Sequence, residues 1–212
     1  GPSRAAEFGA VAALVRSMTT AHDDFPHTGV TVYRDSTKTV PGIAISTNDA
    51  DRLSDLLKQG PVTVSCKTSC KSAGLREAPT VIGEIRGSEY PDEIILVGGH
   101  LDSWDVGQGA HDDGAGCIQS VEVLRILTSL GYKPRRTLRC VLFSNEENGL
   151  AGGRTYARIS NDKGEFHLAA IESDAGGFTP RGFSFDADTS VFKTYYRNVS
   201  KWLPLLESYG LH

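Results

Sequence analysis

Four short clusters in this chain hold the residue types that bind metals or move protons. His100 and Asp102 stand two apart after the apolar run 94–97, and in an extended chain two such side chains point to the same side. One could bind a metal while the other orients it, although a His-x-Asp pair by itself is a common surface contact. Asp112 and Asp113 come next, set among glycines before a segment with helical periodicity. Either could simply cap a helix by accepting its free amides. A cap needs only one carboxylate, so the pair is equally consistent with a shared cation. Glu146 and Glu147 follow the apolar run 138–144 instead of lying on a solvated helix face, and Asp174 closes the run 168–172 with Gly176 and Gly177 behind it. Carboxylates with histidine suit zinc, manganese or cobalt.

Side chains so far apart in sequence can cooperate only if regular elements bring them to one place. The pattern predicts strands at 81–85 and 94–97, separated by a turn-like 87–91. A helix at 115–130 would turn Ile118, Val121, Leu124 and Leu127 inward, leaving Gln119, Glu122, Arg125 and Ser129 to water. Gly131 and Pro134 would stop it. A strand buried on both sides at 138–144, a helix at 153–159, a second buried strand at 168–172 and a last helix at 191–206 complete the alternation. Strands alternating with helices predict an α/β sheet with ligands at the carboxyl ends of its strands, which is where all four clusters fall.

Residues 1–75 read differently from 76–212. A short apolar helix is expected over 5–18, then strands at 30–33 and 43–45. A helix over 48–59 would be capped by Thr47 or Asn48, burying Leu53, Leu56 and Leu57. A strand at 62–65 and a polar linker over 67–78 follow.

Composition narrows the classes. With 39% hydrophobic and 23% charged residues in 212, the chain can bury a core. The net charge is −4 and no basic run occurs, which argues against nucleic acid as a partner. No apolar run approaches the roughly 20 residues of a membrane span. Glycine is enriched at 23 residues and clusters between Gly98 and Gly116, the mark of a tightly turning loop. Of the 4 cysteines, Cys117 and Cys140 read as small buried hydrophobes. Cys66 and Cys70 lack a second pair at metal-ligand spacing.

The stretch Val97-Gly-Gly-His-Leu-Asp-Ser-Trp-Asp-Val-Gly-Gln-Gly-Ala-His-Asp-Asp-Gly-Ala-Gly116, with Asn145-Glu146-Glu147 and Glu172-Ser173-Asp174, closely resembles the cocatalytic-zinc aminopeptidase/carboxypeptidase family. The segment 103–109 is particular to a subgroup carrying a protease-associated lid domain, and Pro26-His27-Thr28-Gly29 resembles a piece of that lid. The resemblance implies a mixed-sheet αβα zinc-exopeptidase sandwich at 76–212, preceded by part of the lid at 1–75. It implies a dinuclear zinc site: His100 and Asp174 on one ion, Glu147 helping to hold the other, Asp112 bridging. Glu146 would be the general acid/base, and Asp102, with Asp113, would support His100 and the metal site. His111 has no ligand counterpart and reads as a loop residue.

The implied reaction is hydrolysis of dipeptides or short peptides at a terminus, with a peptide as partner and homodimerisation open. The implied compartment is secreted, periplasmic or lysosomal. The family's last ligand histidine lies beyond the matched motifs, and His212 does not occupy its position. The chain is therefore expected to be a fragment that binds its second zinc weakly and has little peptidase activity alone. Two rivals stand beside this reading: a non-catalytic binding or receptor ectodomain on the same fold, and a single-zinc glutaminyl-cyclase-like acyltransferase.

Overall fold

The computed structural model describes residues 1–212 except 28, 35–38, 72, 106, 175, 180, 186 and 212. Thr28 of the lid-like piece, Val106 of the 103–109 segment and His212 therefore lie outside the described residues. The chain divides into two units, one comprising Gly1–Ala78 with Trp104–Gln108 and Glu147–Gly149, the other Pro79–Ser103, Gly109–Glu146 and Leu150–His212.

In the first unit, helix α1 (Pro2–Glu7) is followed by strand β1 (Ala13–Arg16), so the helix expected over 5–18 is cut short. Gly9, at φ +83°, takes a left-handed conformation that ends it. The apolar residues beyond form a parallel ribbon with strand β2 (Gly42–Ile45), Leu14 opposite Ile43. Helix α2 (Thr47–Gln59) is capped one residue earlier than expected, by Ser46, whose Oγ accepts the Asp49 N–H at 3.0 Å. Thr47 is instead buried, its hydroxyl accepting the Asp23 N–H at 3.0 Å. Leu56 and Leu57 are exposed, so the expected buried stripe is not formed. The expected strands at 30–33 and 62–65 are not formed among the described residues.

The second unit is built on a four-stranded mixed sheet of β3 (Val81–Ile85), β4 (Tyr90–His100), β5 (Arg136–Phe143) and β6 (Phe166–Glu172), in the order β3-β5-β4-β6. Only β3 runs antiparallel to its neighbour. Helix α3 (Ala115–Ser129) lies between β4 and β5, and α4 (Ala151–Lys163) between β5 and β6. The expected last helix breaks into α5 (Phe192–Ser200) and α6 (Leu203–Leu206), the second restarting with Pro204 in its first turn, where a missing N–H costs nothing. Ile94, Leu96 and Val141 form the buried core, with Phe143 and Tyr156 packed against it. Cys117 and Cys140 are buried and free.

Three expectations change here. Strand β6 is not buried: among the described residues it pairs with β4 alone, and Phe166 and Leu168 are exposed. The inward face of α3 is made of Gly116, Cys117 and Ser120, whereas Ile118 is 69% exposed and Val121 also faces out. Small residues let the helix lie close to β4: Ser120 Oγ donates to the Gly98 carbonyl at 2.9 Å and Cys117 Sγ to the His100 carbonyl at 3.1 Å. Finally, Gly98 and Gly99 belong to β4 rather than to a loop. A Cβ on Gly99 would collide with the Asp113 carboxylate, so this glycine permits close approach.

On the sheet, Arg139 ties four elements together. Its guanidinium donates to Glu84 at 2.9 Å, to the Tyr156 hydroxyl at 2.9 Å and to Glu165 at 2.8 Å, and Tyr156 in turn meets His167 Nε2 at 2.8 Å.

Candidate metal centre

Sheet order decides which chemical groups can meet. β4 lies between β5 and β6, with His100 opposite Phe143 on one side and Gly98 opposite Glu172 on the other. The parallel strands therefore end side by side, and the residues just beyond them converge. Ser173 N–H donates to the Gly98 carbonyl at 3.0 Å, so Asp174 emerges beside His100. Leu101 N–H donates to the Phe143 carbonyl at 2.6 Å, bringing the Glu146 loop to the other side.

His100 is the hub and is 1% exposed. Its Nδ1 is 2.8 Å from the Asp102 carbonyl oxygen, which can only accept, so Nδ1 carries the hydrogen. That leaves Nε2, which faces Asp112 Oδ1 at 3.1 Å, Asp174 Oδ1 at 3.5 Å and Glu146 Oε2 at 4.0 Å. A lone pair aimed at several carboxylates is repulsive unless a proton or a metal cation lies between them. Burial opposes protonation of His100, but the Asp102 carbonyl and the charges of Asp113, Asp174 and Glu146 outweigh it and raise its pKa.

The two aspartates divide the roles the sequence left open. Asp113 is 1% exposed and its carboxylate is used up by backbone: Oδ2 accepts the His100 N–H at 2.8 Å and Oδ1 the Gly116 N–H at 3.0 Å. It therefore caps the first turn of α3 and locks the end of β4, and burial pushes its pKa up against those hydrogen bonds. Asp112 belongs to the irregular turn Ala110–Gly114, and its side chain is 48% exposed and directed at His100. His100, Asp113 and Asp174 offer ligand atoms within 4.8 Å of one another. Asp113 is occupied by amides, whereas Asp112 and Asp174 each approach His100 Nε2 directly.

Asp102 acts differently from the expected carboxylate–imidazole pair. Its carboxylate oxygen is 3.9 Å from His100 Nδ1, and it accepts the Glu146 N–H at 2.9 Å. Glu146 stands in a loop entered through Asn145, at φ 60°, and closed by hydrogen bonds from Leu150, Ala151 and Gly152 N–H back to the carbonyls of Glu146, Asn145 and Ser144. Burial, then Asp174, Asp102 and Asp112, push the Glu146 pKa up against the pull of His100. Glu172 is pushed up in the same way by burial, Asp174 and Glu146. Glu147, next in the chain, divides with the other unit. Periodicity placed Gln119 on the solvent face, where it is exposed, but gave no sign that its amide contacts both Ser173 and Gly176.

A mixed sheet with imidazole and carboxylate donors gathered at the ends of adjacent strands defines an α/β protein with a candidate metal centre. The chain belongs to peptidase family M28, whose family model matches residues 80–204. Human carboxypeptidase Q is 39% identical over 186 residues, covering 87% of this chain and 39% of that protein. The probable leucine aminopeptidase 2 of Aspergillus oryzae is 31% identical over 119 residues, covering 56% of this chain and 23% of that protein. The crystal structure of a peptidase M28 precursor from Shewanella amazonensis SB2B superposes with a TM-score of 0.77 at 35% identity, covering 96% of this chain and 47% of that one. BSAP, a zinc aminopeptidase from Bacillus subtilis, shares the fold with a TM-score of 0.59 at 20% identity, covering 94% of this chain and 48% of that one. The chain spans about two-fifths of the length of the carboxypeptidase Q proteins it matches.

Proposed function

We propose that this chain carries the catalytic centre of a zinc-dependent exopeptidase acting on dipeptides or short peptides. The observation that carries the reading is the His100 imidazole, whose Nδ1 is committed to the Asp102 carbonyl while Nε2 faces Asp112 and Asp174 at 3.1 and 3.5 Å. His100 and Asp174 would hold one zinc, Asp112 would bridge, and Glu147 would help hold a second. Zinc bound there would lower the pKa of a water and polarise the scissile carbonyl.

The chain's own residues do the rest. Glu146 would accept a proton from the attacking water and pass it to the leaving amine. Asp102 fixes the backbone at Glu146 and the tautomer of His100 together. Asp113 holds the strand end on which His100 stands. By the same family likeness the protein would work in a secreted, periplasmic or lysosomal compartment, and the N-terminal unit would be part of a lid.

The test is zinc content and dipeptide hydrolysis in the full-length protein, wild type and Glu146→Gln. The expected result is zinc retained and hydrolysis reduced by at least about 100-fold, the scale of a lost general base. Absence of zinc from both proteins would refute the reading and favour a binding module on the same fold. One zinc per chain without peptide hydrolysis would favour the cyclase-like rival.

A further inference from the structure

Asp174 stands two residues beyond the end of β6, past the last ladder contact, Ser173 N–H to the Gly98 carbonyl at 3.0 Å. Backbone pairing thus brings the chain beside His100 only as far as Ser173. Two side chains from elsewhere in the unit bind the neighbours of Asp174. Gln119, on the second turn of α3, uses both ends of its amide: Oε1 accepts from the Ser173 hydroxyl at 2.6 Å and Nε2 donates to the Gly176 carbonyl at 3.0 Å. The two bonds bracket Asp174. His111, from the turn before α3, accepts the Gly177 N–H on Nδ1 at 3.1 Å, and its ring lies 5.2 Å from that of Phe178. The loop sits tightly against both elements. A Cβ on Gly116 would collide with the Ser173 carbonyl, and one on Gly177 would come within 2.6 Å of the His111 ring.

We infer that Gln119 and His111 are positioning residues for the metal centre, holding Asp174 at the distance from His100 that a shared metal ion requires. This rests on the reading of Asp174 as a metal ligand. Gln119 is exposed, and ordering an exposed glutamine costs rotamer freedom. The arrangement makes physical sense because it connects the helix that carries the Asp113 cap to the loop that carries Asp174. Strand-end donors then keep a common spacing. Partners that orient a ligand typically change metal affinity by about 10–100-fold when removed.

The test titrates zinc into metal-free protein against a chromogenic chelator and records the melting temperature of the metal-free form. Gln119→Met keeps the side-chain volume and removes both hydrogen bonds. It should weaken zinc binding about 10–100-fold and leave the metal-free melting temperature unchanged. Ser173→Ala removes one bond and should give a smaller loss in the same direction. Asp174→Ala is the reference. If it weakens zinc binding and Gln119→Met does not, the positioning role is wrong. If Asp174→Ala leaves binding unchanged, the assignment of Asp174 as a ligand fails first. A fall in metal-free stability that matches the loss of affinity would make Gln119 a structural residue only and would also overturn the inference.

Discussion

The Asp102 carboxylate accepts the backbone N–H of Glu146 at 2.9 Å while the carbonyl of the same aspartate holds His100. One residue thus ties the imidazole at the end of β4 to the glutamate loop after β5. A change at Asp102 should act on both.

Asp102→Ala removes a charged acceptor and leaves the Glu146 amide without it. Hydrogen bonds to charged groups contribute about 1.5–3 kcal/mol. The backbone carbonyl to His100 survives the substitution, so zinc binding should change less than turnover does. Parallel measurement of kcat and zinc affinity checks this. Equal losses in both would contradict the division of labour between carbonyl and carboxylate.

Gly99→Ala and Gly116→Ala should be among the most damaging small substitutions in the chain. The first places a methyl group against the Asp113 carboxylate and the second against the Ser173 carbonyl. Overpacking typically costs about 1–3 kcal/mol, and backbone on the opposing side leaves little room to yield. Urea unfolding of both variants, with Gly153→Ala as a control at a position where a Cβ meets nothing within 4 Å, gives the comparison.

His167 and Glu165 should each lower stability as the pH falls, the first below about 6.5 and the second only below about 4.3. Burial and the nearby Arg139 charge depress the pKa of His167. Below the ordinary histidine value near 6.5 the unfolded chain therefore takes up a proton that the fold resists. The hydrogen bond from Arg139 depresses Glu165, so its contribution is present above about 4.3 and lost as pH falls through the folded value. His100, with a raised pKa, works in the opposite direction in metal-free protein. The measurement is therefore the difference in melting temperature between wild type and His167→Gln in the same metal state. The variant should lose the stage around pH 6 and keep the lower one.

Chelation should destabilise the protein as well as inactivate it. A ligand present at 100 times its dissociation constant stabilises the fold by about 2.7 kcal/mol, and without the cation the carboxylates of Asp112, Glu146 and Asp174 face one another around His100. Melting temperatures with excess zinc and with chelator should differ by several degrees. Asp112→Asn, which removes a proposed ligand and lowers that repulsion, should reduce the difference both by weakening zinc binding and by stabilising the chelated form. Equal wild-type melting temperatures with zinc and with chelator would argue that the cluster holds no metal.

The alternation of strands and helices in residues 76–212, the stop of α3 at Gly131 and the position of His100, Glu146 and Asp174 at or just past strand ends were all legible in the sequence. They depend on period, on chain punctuation and on residue types within a few positions of one another. Tertiary structure decided the rest. Periodicity shows which residues of α3 share a face but not which face meets the sheet. The close approach to β4 selected Gly116, Cys117 and Ser120 over the larger Ile118 and Val121. The burial of β6 depended on how many strands flanked it, which its own apolar run could not report. The separation of Asp113, fixed by amides, from Asp112, turned towards His100, required β4 and the start of α3 to be in place. Gln119 lies 54 residues from Ser173, a distance over which no local pattern carries information, and only the folded chain brings that amide to the loop of Asp174.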